Sequence, residues 1–290
     1  MSQPTGYSSI FARHAFSGRT ILITGGGSGI GRCTAHELAS LGAKVLITGR
    51  KLEKLEKTAA EIIEDGGQCA VYAFDIRDEE AVISNIALML EQHGTIHGLV
   101  NNAGGQFPQS AELISKRGFE AVVANNLTGG FLVSRELYKV HFKEHGGAIV
   151  NMLADMWGGM PNMAHSGAAR AGMMNLTETC ATEWACQGVR VNAVAPGFIG
   201  SSGMDQYDVA FTSKVIPQMA GTIPLKRLGE EAEVSAAIVF LLSDAASFIT
   251  GHTICIDGGA TLNTKVFPLQ GPGNEGFKGF HRAVRPKALG

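Results

Sequence analysis

The chain has 290 residues, 45% of them hydrophobic, which is enough to build a large buried core. Its 24 Lys and Arg residues are balanced by 26 Asp and Glu, and with no basic face a nucleic-acid-binding protein is excluded. Because the five cysteines lack disulfide or metal spacing and no targeting signal or membrane-length apolar stretch is found, we expect a cytoplasmic protein that binds no metal and no membrane.

From Thr20 onward, short aliphatic or β-branched runs alternate with longer helical patterns, which is typical of βαβ units around a parallel sheet. Strands are predicted at residues 20–24, 44–48, 69–74, 97–101, 148–152, 190–194 and 252–256. The segments between them carry apolar residues at helical spacing, and glycines close the first two helices. The predicted fold class is α/β, a single Rossmann-type doubly wound seven-stranded parallel sheet with helices on both faces.

The domain organisation is predicted to be simple, because no internal repeat or low-complexity linker interrupts the pattern. Residues 1–18 form an N-terminal extension and residues 19–260 one dinucleotide-binding catalytic domain. Within it, residues 197–229 are long and rich in small and polar residues, as in a substrate lid. Residues 261–290 form a C-terminal tail, which we expect to be ordered partly by a neighbouring subunit.

A glycine-rich turn follows the first predicted strand and leads directly into a helix. Such a turn lets the backbone approach a pyrophosphate, and the helix N-terminus attracts its charge. The residues expected to do so are Thr24, Gly25, Ser28, Gly29, Ile30 and Gly31. The spacing G-x-x-x-G-x-G differs from the usual dinucleotide fingerprint, so a tight turn without a ligand is the alternative.

The ends of the next strands predict which dinucleotide binds. Gly49 stands where an NAD enzyme carries a carboxylate, and Arg50 and Lys51 follow it, so a 2′-phosphate is favoured and NADPH is the predicted cofactor. The alternative is that these cations only begin a solvated helix. Further cofactor contacts are expected from Asp75 and Ile76 near the adenine and from Asn102, Ala103 and Gly104 at the switch point of the sheet.

Together, TGGGSGIG, DI at 75–76, NNAG at 101–104 and PGFI at 196–199 resemble the short-chain dehydrogenase/reductase family over roughly residues 18–260. The resemblance implies that the glycine-rich turn and NNAG hold the adenosine and pyrophosphate half of the cofactor. It also implies that Pro196, Gly197 and Ile199 flank the nicotinamide, and that the chain forms a homotetramer through its long helices.

The catalytic residues that the resemblance implies are only partly present. Asn126 matches the family's asparagine, but the serine position falls on Leu153 or Ala154. When HSGAARAG is matched to the family's YSAAKAG helix, tyrosine becomes Ser166 and lysine becomes Arg170. The chain therefore departs from the family's pattern at the residues that protonate an alkoxide.

The replacements favour a different reaction. A serine hydroxyl is too weak an acid to protonate an alkoxide, but it can donate a hydrogen bond to a carbonyl that gains charge. Arg170 stays charged, so it can hold ribose hydroxyls and stabilise an anion. Four residues apart, Ser166 and Arg170 share one helix face. Conjugate reduction of a 2-enoyl-CoA thioester passes through an enolate, which needs stabilising hydrogen bonds more than a strong acid at its oxygen.

The surrounding segments resemble the 2-enoyl-CoA and 2,4-dienoyl-CoA reductase branch of the family. They are GGQF at 104–107, NLTGG at 126–130, KEHGG at 143–147, HSGAARAG at 165–172, EWACQGVRVN at 183–192 and ASFITG at 246–251. The resemblance implies an acyl-CoA substrate and places Gln106 and Phe107 at the entrance of the substrate site.

The proton donor for the α-carbon is left open by the sequence. Asp155 after the fifth strand and Tyr207 in the lid are candidates, although Asp155 could merely cap its loop. His165, beside the predicted start of the helix, is weighed in the same way, because it could merely cap or pack. Two rival functions remain. One is an alcohol or ketone oxidoreductase in which a residue from elsewhere, for instance Tyr207, replaces the missing tyrosine. The other is an NADPH-binding relative without catalytic activity.

Overall fold

A computed structural model of the chain describes residues 6–201, 215, 218–262, 271, 273–284 and 286. Seven parallel strands form one sheet in the order β3-β2-β1-β4-β5-β6-β7. They are β1 (Thr20–Thr24), β2 (Lys44–Gly49), β3 (Gln68–Ala73), β4 (Gly98–Asn101), β5 (Gly147–Met152), β6 (Val189–Pro196) and β7 (Thr253–Ile256). The predicted fold class is confirmed, and the strand order reverses between β1 and β4, which is where such sheets bind ligands.

Helices cover both faces of the sheet. They are α1 (Gly29–Ser40), α2 (Leu52–Glu64), α3 (Glu79–His93), α4 (Lys116–Val123), α5 (Gly129–Leu137), α6 (Lys143–His145), α7 (Ala164–Trp184) and α8 (Glu231–Leu242). Helices α4, α5 and α6 run on without a break through two π-helical turns, Ala124–Thr128 and Tyr138–Phe142. The prediction of helices on either side of one sheet is therefore correct.

The core consists of two main apolar layers, one on each face of the sheet. In β1, Ile21 and Ile23 face the layer under α1 and α8, whereas Leu22 faces the layer under α3, α5 and α7. This alternation follows from the pleat of a strand, and burial on both faces explains why the strands are continuous apolar runs. No helix among the described residues is long and apolar enough to cross a membrane.

The C-terminal strap, residues 273–284, lies against the same chain. Phe280 is 5% exposed and stacks under the guanidinium of Arg32, 5.0 Å from its ring centre. Arg282 donates to the carboxylate of Asp65 at 2.7 Å, and the amide of Ser8 donates to the carbonyl of Gly279 at 2.9 Å. The strap thus finds its partners on α1, α2 and the N-terminal segment, which the expectation of a neighbouring subunit did not anticipate.

Candidate active site

The glycine-rich turn lies at the switch point and is tied to the end of β4. The side-chain amide of Asn102 donates to the carbonyl oxygens of Thr24 and Gly25, at 3.0 and 3.2 Å. A Cβ on Gly31 would overlap the carbonyl oxygen of Gly25 and the amide of Asn102, so only glycine fits there. The backbone is therefore closely packed at the point where the helix begins.

The N-terminus of α1 is open toward this turn. Ser28 precedes the helix in an extended conformation, and its side chain forms no capping hydrogen bond with the described residues. The first amide groups of α1 thus keep their hydrogen-bonding capacity, which suits an anionic group such as a pyrophosphate. The turn and the helix N-terminus fit a dinucleotide, and the six residues predicted to contact it lie here: Thr24, Gly25, Ser28, Gly29, Ile30 and Gly31.

The ends of β2 and β3 carry the charged residues. Arg50 and Lys51 are exposed. The carboxylate of Asp75 accepts hydrogen bonds from three donors of Arg77: Nη2 at 2.5 Å, Nε at 2.9 Å and the backbone amide at 3.0 Å. These bonds, with a smaller contribution from the charge of Arg50, lower the pKa of Asp75. Asp75 therefore holds the guanidinium of Arg77 at the end of β3, a contact that the sequence analysis missed.

Ile76 points away from this edge. Its side chain is 5% exposed and packs against Gly129 at the start of α5. If Ile76 contacts the cofactor, as predicted, its backbone groups must do so. Ala103 and Gly104 continue from β4 along the crevice, and the amide of Ala103 donates to Oγ1 of Thr24 at 3.0 Å.

Asn126 lies in the first π-helical turn and is 2% exposed. Its Oδ1 accepts from the amide of Gly105 at 2.9 Å, and its Nδ2 donates to the carbonyl of the same residue at 3.0 Å. A Cβ on Gly104 would stand 2.7 Å from Oδ1 of Asn126 and 2.8 Å from Nη2 of Arg170. The structure thus brings Asn126, Arg170 and the end of the NNAG segment into contact.

Ser166 and Arg170 lie on the buried side of α7, as their spacing predicted. Arg170 donates through Nη1 to the carbonyl of Met152, and through Nη2 to Oδ1 of Asn126 at 3.4 Å. Burial lowers the pKa of Arg170 to about 10, so its guanidinium remains charged at neutral pH. Its Nε is buried without a partner among the described residues.

Ser166 is fully buried beneath the segment that follows NNAG. Its Oγ donates to Oε1 of Gln106 at 2.5 Å. The next residue, Phe107, stands edge-on to the ring of His165, with 4.5 Å between ring centres. Gln106 and Phe107 therefore cover the start of α7, which is compatible with the predicted entrance.

The loops after β5 and β6 lie side by side. The amide of Asp155 donates to the carbonyl of Pro196 at 2.9 Å, and its side chain is partly exposed. Leu153, one of the two residues that match the family's serine position, is buried in an apolar cluster, and its side chain can form no hydrogen bond. Gly197 is anchored to β7 through the carbonyl of Ile256 at 3.0 Å, and Ile199 is 7% exposed. Tyr207 lies outside the described residues.

A buried polar chain behind the site was not found from the sequence. Nδ2 of Asn101 donates to Oγ of Ser134 at 2.7 Å and to Oδ1 of Asn151 at 2.8 Å. Nδ2 of Asn151 donates to Oγ1 of Thr177 at 2.9 Å. The chain connects β4 and β5 to α5 and α7, and so fixes the helix that carries Ser166. Asparagines at equivalent positions of adjacent strands were its signal.

No group of three or more His, Cys, Asp or Glu residues in the described part of the chain could hold a metal ion.

The family model described as enoyl-(acyl carrier protein) reductase matches residues 25–261. The chain is 38% identical to a probable 2,4-dienoyl-CoA reductase of Bacillus subtilis over 253 residues, which is 86% of this chain and 99% of the relative. It is also 36% identical to the levodione reductase of Leifsonia aquatica, over 84% of this chain and 94% of the relative.

Among solved structures, the chain is similar to a citronellol catabolism dehydrogenase, AtuB, of Pseudomonas aeruginosa. The two are 58% identical, with a TM-score of 0.80, over 88% of this chain and all of that one.

Proposed function

The chain belongs to the short-chain dehydrogenase/reductase family, and on that premise we propose that it reduces the α,β double bond of a 2-enoyl-CoA thioester with NADPH. One observation carries the proposal: the buried hydroxyl of Ser166 shares a helix face with the buried cation of Arg170. This pair supplies a hydrogen bond and a positive charge to a carbonyl oxygen but no strong acid. The likeness to the probable 2,4-dienoyl-CoA reductase of B. subtilis supports an unsaturated acyl thioester as the substrate class.

NADPH supplies the hydride when bound. The β-carbon of the thioester accepts it, the π electrons move to the carbonyl oxygen, and a proton added at the α-carbon completes the reduction. Ser166 donates to that oxygen as its negative charge grows, and Arg170 stabilises the charge. Asn126 holds Gly105 in place at the crevice. Asp155 and Tyr207 remain the proposed sources of the α-carbon proton.

NADPH, rather than NADH, is proposed from the cations at the ends of β2 and β3. Arg50 and Lys51 follow Gly49, where no carboxylate would repel a 2′-phosphate. Arg77 also lies at this edge, but its charge is paired with Asp75, so the proposal rests on Arg50 and Lys51. A guanidinium grips a phosphate through two parallel hydrogen bonds.

A second candidate is oxidation or reduction at an alcohol or carbonyl group. It is favoured by the 58% identity to AtuB, which is named as a dehydrogenase of citronellol catabolism. In that case the proton must come from a residue other than Ser166, and Tyr207 is the proposed donor.

NADPH oxidation tests the two candidates directly. The purified protein is mixed with trans-2-hexenoyl-CoA, and with citronellal and a ketone panel in parallel. Thioester-dependent oxidation that Ser166→Ala reduces about a hundredfold, while Ser84→Ala on the exposed side of α3 does not, supports the proposal. Activity confined to the aldehyde or ketones would favour the second candidate, and NADPH binding without turnover would refute both.

A homotetramer is proposed for the assembly, following the family resemblance. The long helix α7 and the loop before it form an exposed groove of 420 Å³. Its lining includes Met156, Trp157, Met160, Ala168 and Ala171. A second copy would cover this apolar surface. Light scattering coupled to gel filtration measures the mass of the assembly.

A further inference from the structure

The side chain of Gln106 lies where a substrate carbonyl would be expected. Its Oε1 accepts the hydrogen bond of Ser166 at 2.5 Å, although Ser166 itself is fully buried. An amide oxygen and a thioester oxygen are both sp² carbonyl oxygens, and both accept hydrogen bonds near the plane of the C=O group. The serine that the proposed reaction requires is thus already bonded to a carbonyl of the protein.

Neighbouring contacts place the backbone that precedes Gln106 among the other proposed catalytic residues. Gly104, two residues earlier, is so close to Asn126 and Arg170 that its missing Cβ would be within 2.8 Å of both. Gly105 is bonded to Asn126 through both of its backbone groups. Gln106 is therefore the residue next in sequence to the backbone that Asn126 holds in place.

We infer that Oε1 of Gln106 occupies the position of the substrate's carbonyl oxygen, and that an acyl thioester binds by displacing the Gln106 amide from Ser166. The inference rests on the proposed function for the identity of the ligand. Gln106 is then an internal competitor that sets how tightly the thioester binds, in addition to lining the entrance.

The displacement requires only a side-chain rotation. The backbone of the segment is fixed at one end by Asn126 and at the other by the amide of Gln109, which donates to the carbonyl of Asn162 at 2.7 Å. Gln106 is exposed, so its side chain can turn toward solvent, where water satisfies the amide. Phe107 can keep its contact with His165 during this rotation.

The size of the effect follows from the hydrogen bond that must be exchanged. When a binding-competent state is only partly populated, the apparent dissociation constant rises by the inverse of that fraction. A single neutral hydrogen bond in such a competition changes the constant by roughly two- to tenfold. A carboxylate in place of the amide accepts a stronger bond and competes better.

The test is calorimetric titration of the NADP⁺-loaded protein with hexanoyl-CoA, a saturated thioester that cannot react. Gln106→Ala is expected to lower the dissociation constant by roughly two- to tenfold, and Gln106→Glu to raise it. Gln109→Glu adds the same charge on the same segment and is the matched control. In a Ser166→Ala background, Gln106→Ala should change nothing.

Weaker binding in Gln106→Ala would overturn the inference, because it would mean that the amide contacts the ligand. An effect that persists without the Ser166 hydroxyl, or no measurable binding by any variant, would also overturn it. Tighter binding in Gln106→Ala together with no reduction of any 2-enoyl-CoA would instead refute the proposed function and leave the inference intact.

Discussion

Asn126 holds Gly105 by both of its backbone groups: it accepts from the amide at 2.9 Å and donates to the carbonyl at 3.0 Å. A primary amide can make this pair of bonds, whereas a carboxylate cannot, because it has no donor. The contact links a π-helical turn to the segment that crosses the crevice. Asn126 therefore shapes the site without needing to change its protonation.

Replacing Asn126 by alanine should lower kcat/KM about a hundredfold, because Gly105 loses both partners and the segment over Ser166 is no longer positioned. Asn126→Asp should be similarly impaired, since its oxygen would face the carbonyl of Gly105. Steady-state kinetics, with circular dichroism to verify folding, measures this. Near-normal activity in Asn126→Asp would show that the donor bond is unimportant.

Gly104→Ala should lower kcat/KM at least tenfold, because the new Cβ would stand 2.7 Å from Oδ1 of Asn126 and 2.8 Å from Nη2 of Arg170. Gly105→Ala provides the control, since its Cβ would come only within 3.3 Å of the side-chain amide of Asn125. Equal losses in both variants would contradict a specific clash at Gly104.

Arg50→Ala should raise the dissociation constant for NADPH about tenfold or more and leave that for NADH nearly unchanged, because only the former carries a 2′-phosphate. Fluorescence titration of each dinucleotide measures both constants. Lys57→Ala removes an exposed cation further along α2 and should not discriminate. A parallel loss of NADH affinity would argue against the 2′-phosphate contact.

Glu231→Gln should make stability less dependent on pH. Burial raises the pKa of Glu231 from 4.5 to about 7, although the charge of Arg32 opposes the shift. Because the folded-state pKa is the higher one, the carboxyl contributes stability below its unfolded pKa and loses it as the pH rises through about 7. From about pH 4 to pH 8 the wild type should lose up to about 3 kcal/mol relative to the variant. Urea unfolding at both pH values measures the difference in the free energy of unfolding between wild type and variant. If that difference is the same at both pH values, the pKa of Glu231 is not raised.

Phe280→Ala should lower the free energy of unfolding by roughly 3 kcal/mol, because the ring fills a buried site against Arg32 and His36. Phe248→Ala is the matched control, since its ring is fully exposed. Urea denaturation of the two variants gives the comparison. If the two variants unfold at the same urea concentration, the C-terminal strap does not stabilise the domain.

Much of the fold was predictable because each buried parallel strand is a short apolar run between turn residues. The strand boundaries moved by one or two residues, as for β6, which continues to Pro196 because the run after Val194 stays buried. The shared face of Ser166 and Arg170 was predictable for a similarly local reason, since residues four apart on a helix are neighbours.

The remaining contacts depend on residues far apart in the chain. Ser166 meets Gln106 across 60 residues, and Arg282 meets Asp65 across 217. No local pattern specifies such pairs, because they depend on how the helices and loops pack. The ion pair of Asp75 with Arg77 is local, but nothing in its spacing separates it from a carboxylate left free for adenine.

The π-helical turn at Ala124–Thr128 has a consequence for how such a site can arise and be lost. A π turn contains about one residue more than an α turn for a similar advance along the helix axis. Deleting Ala124 or Asn125 would let the helix continue with regular α geometry, and would change the direction in which Asn126 leaves the helix axis, because the turn that holds it would contain one residue fewer. The two hydrogen bonds between Asn126 and Gly105 can therefore be lost through the deletion of a single codon. A comparison that considers only amino-acid substitutions would overlook such a change.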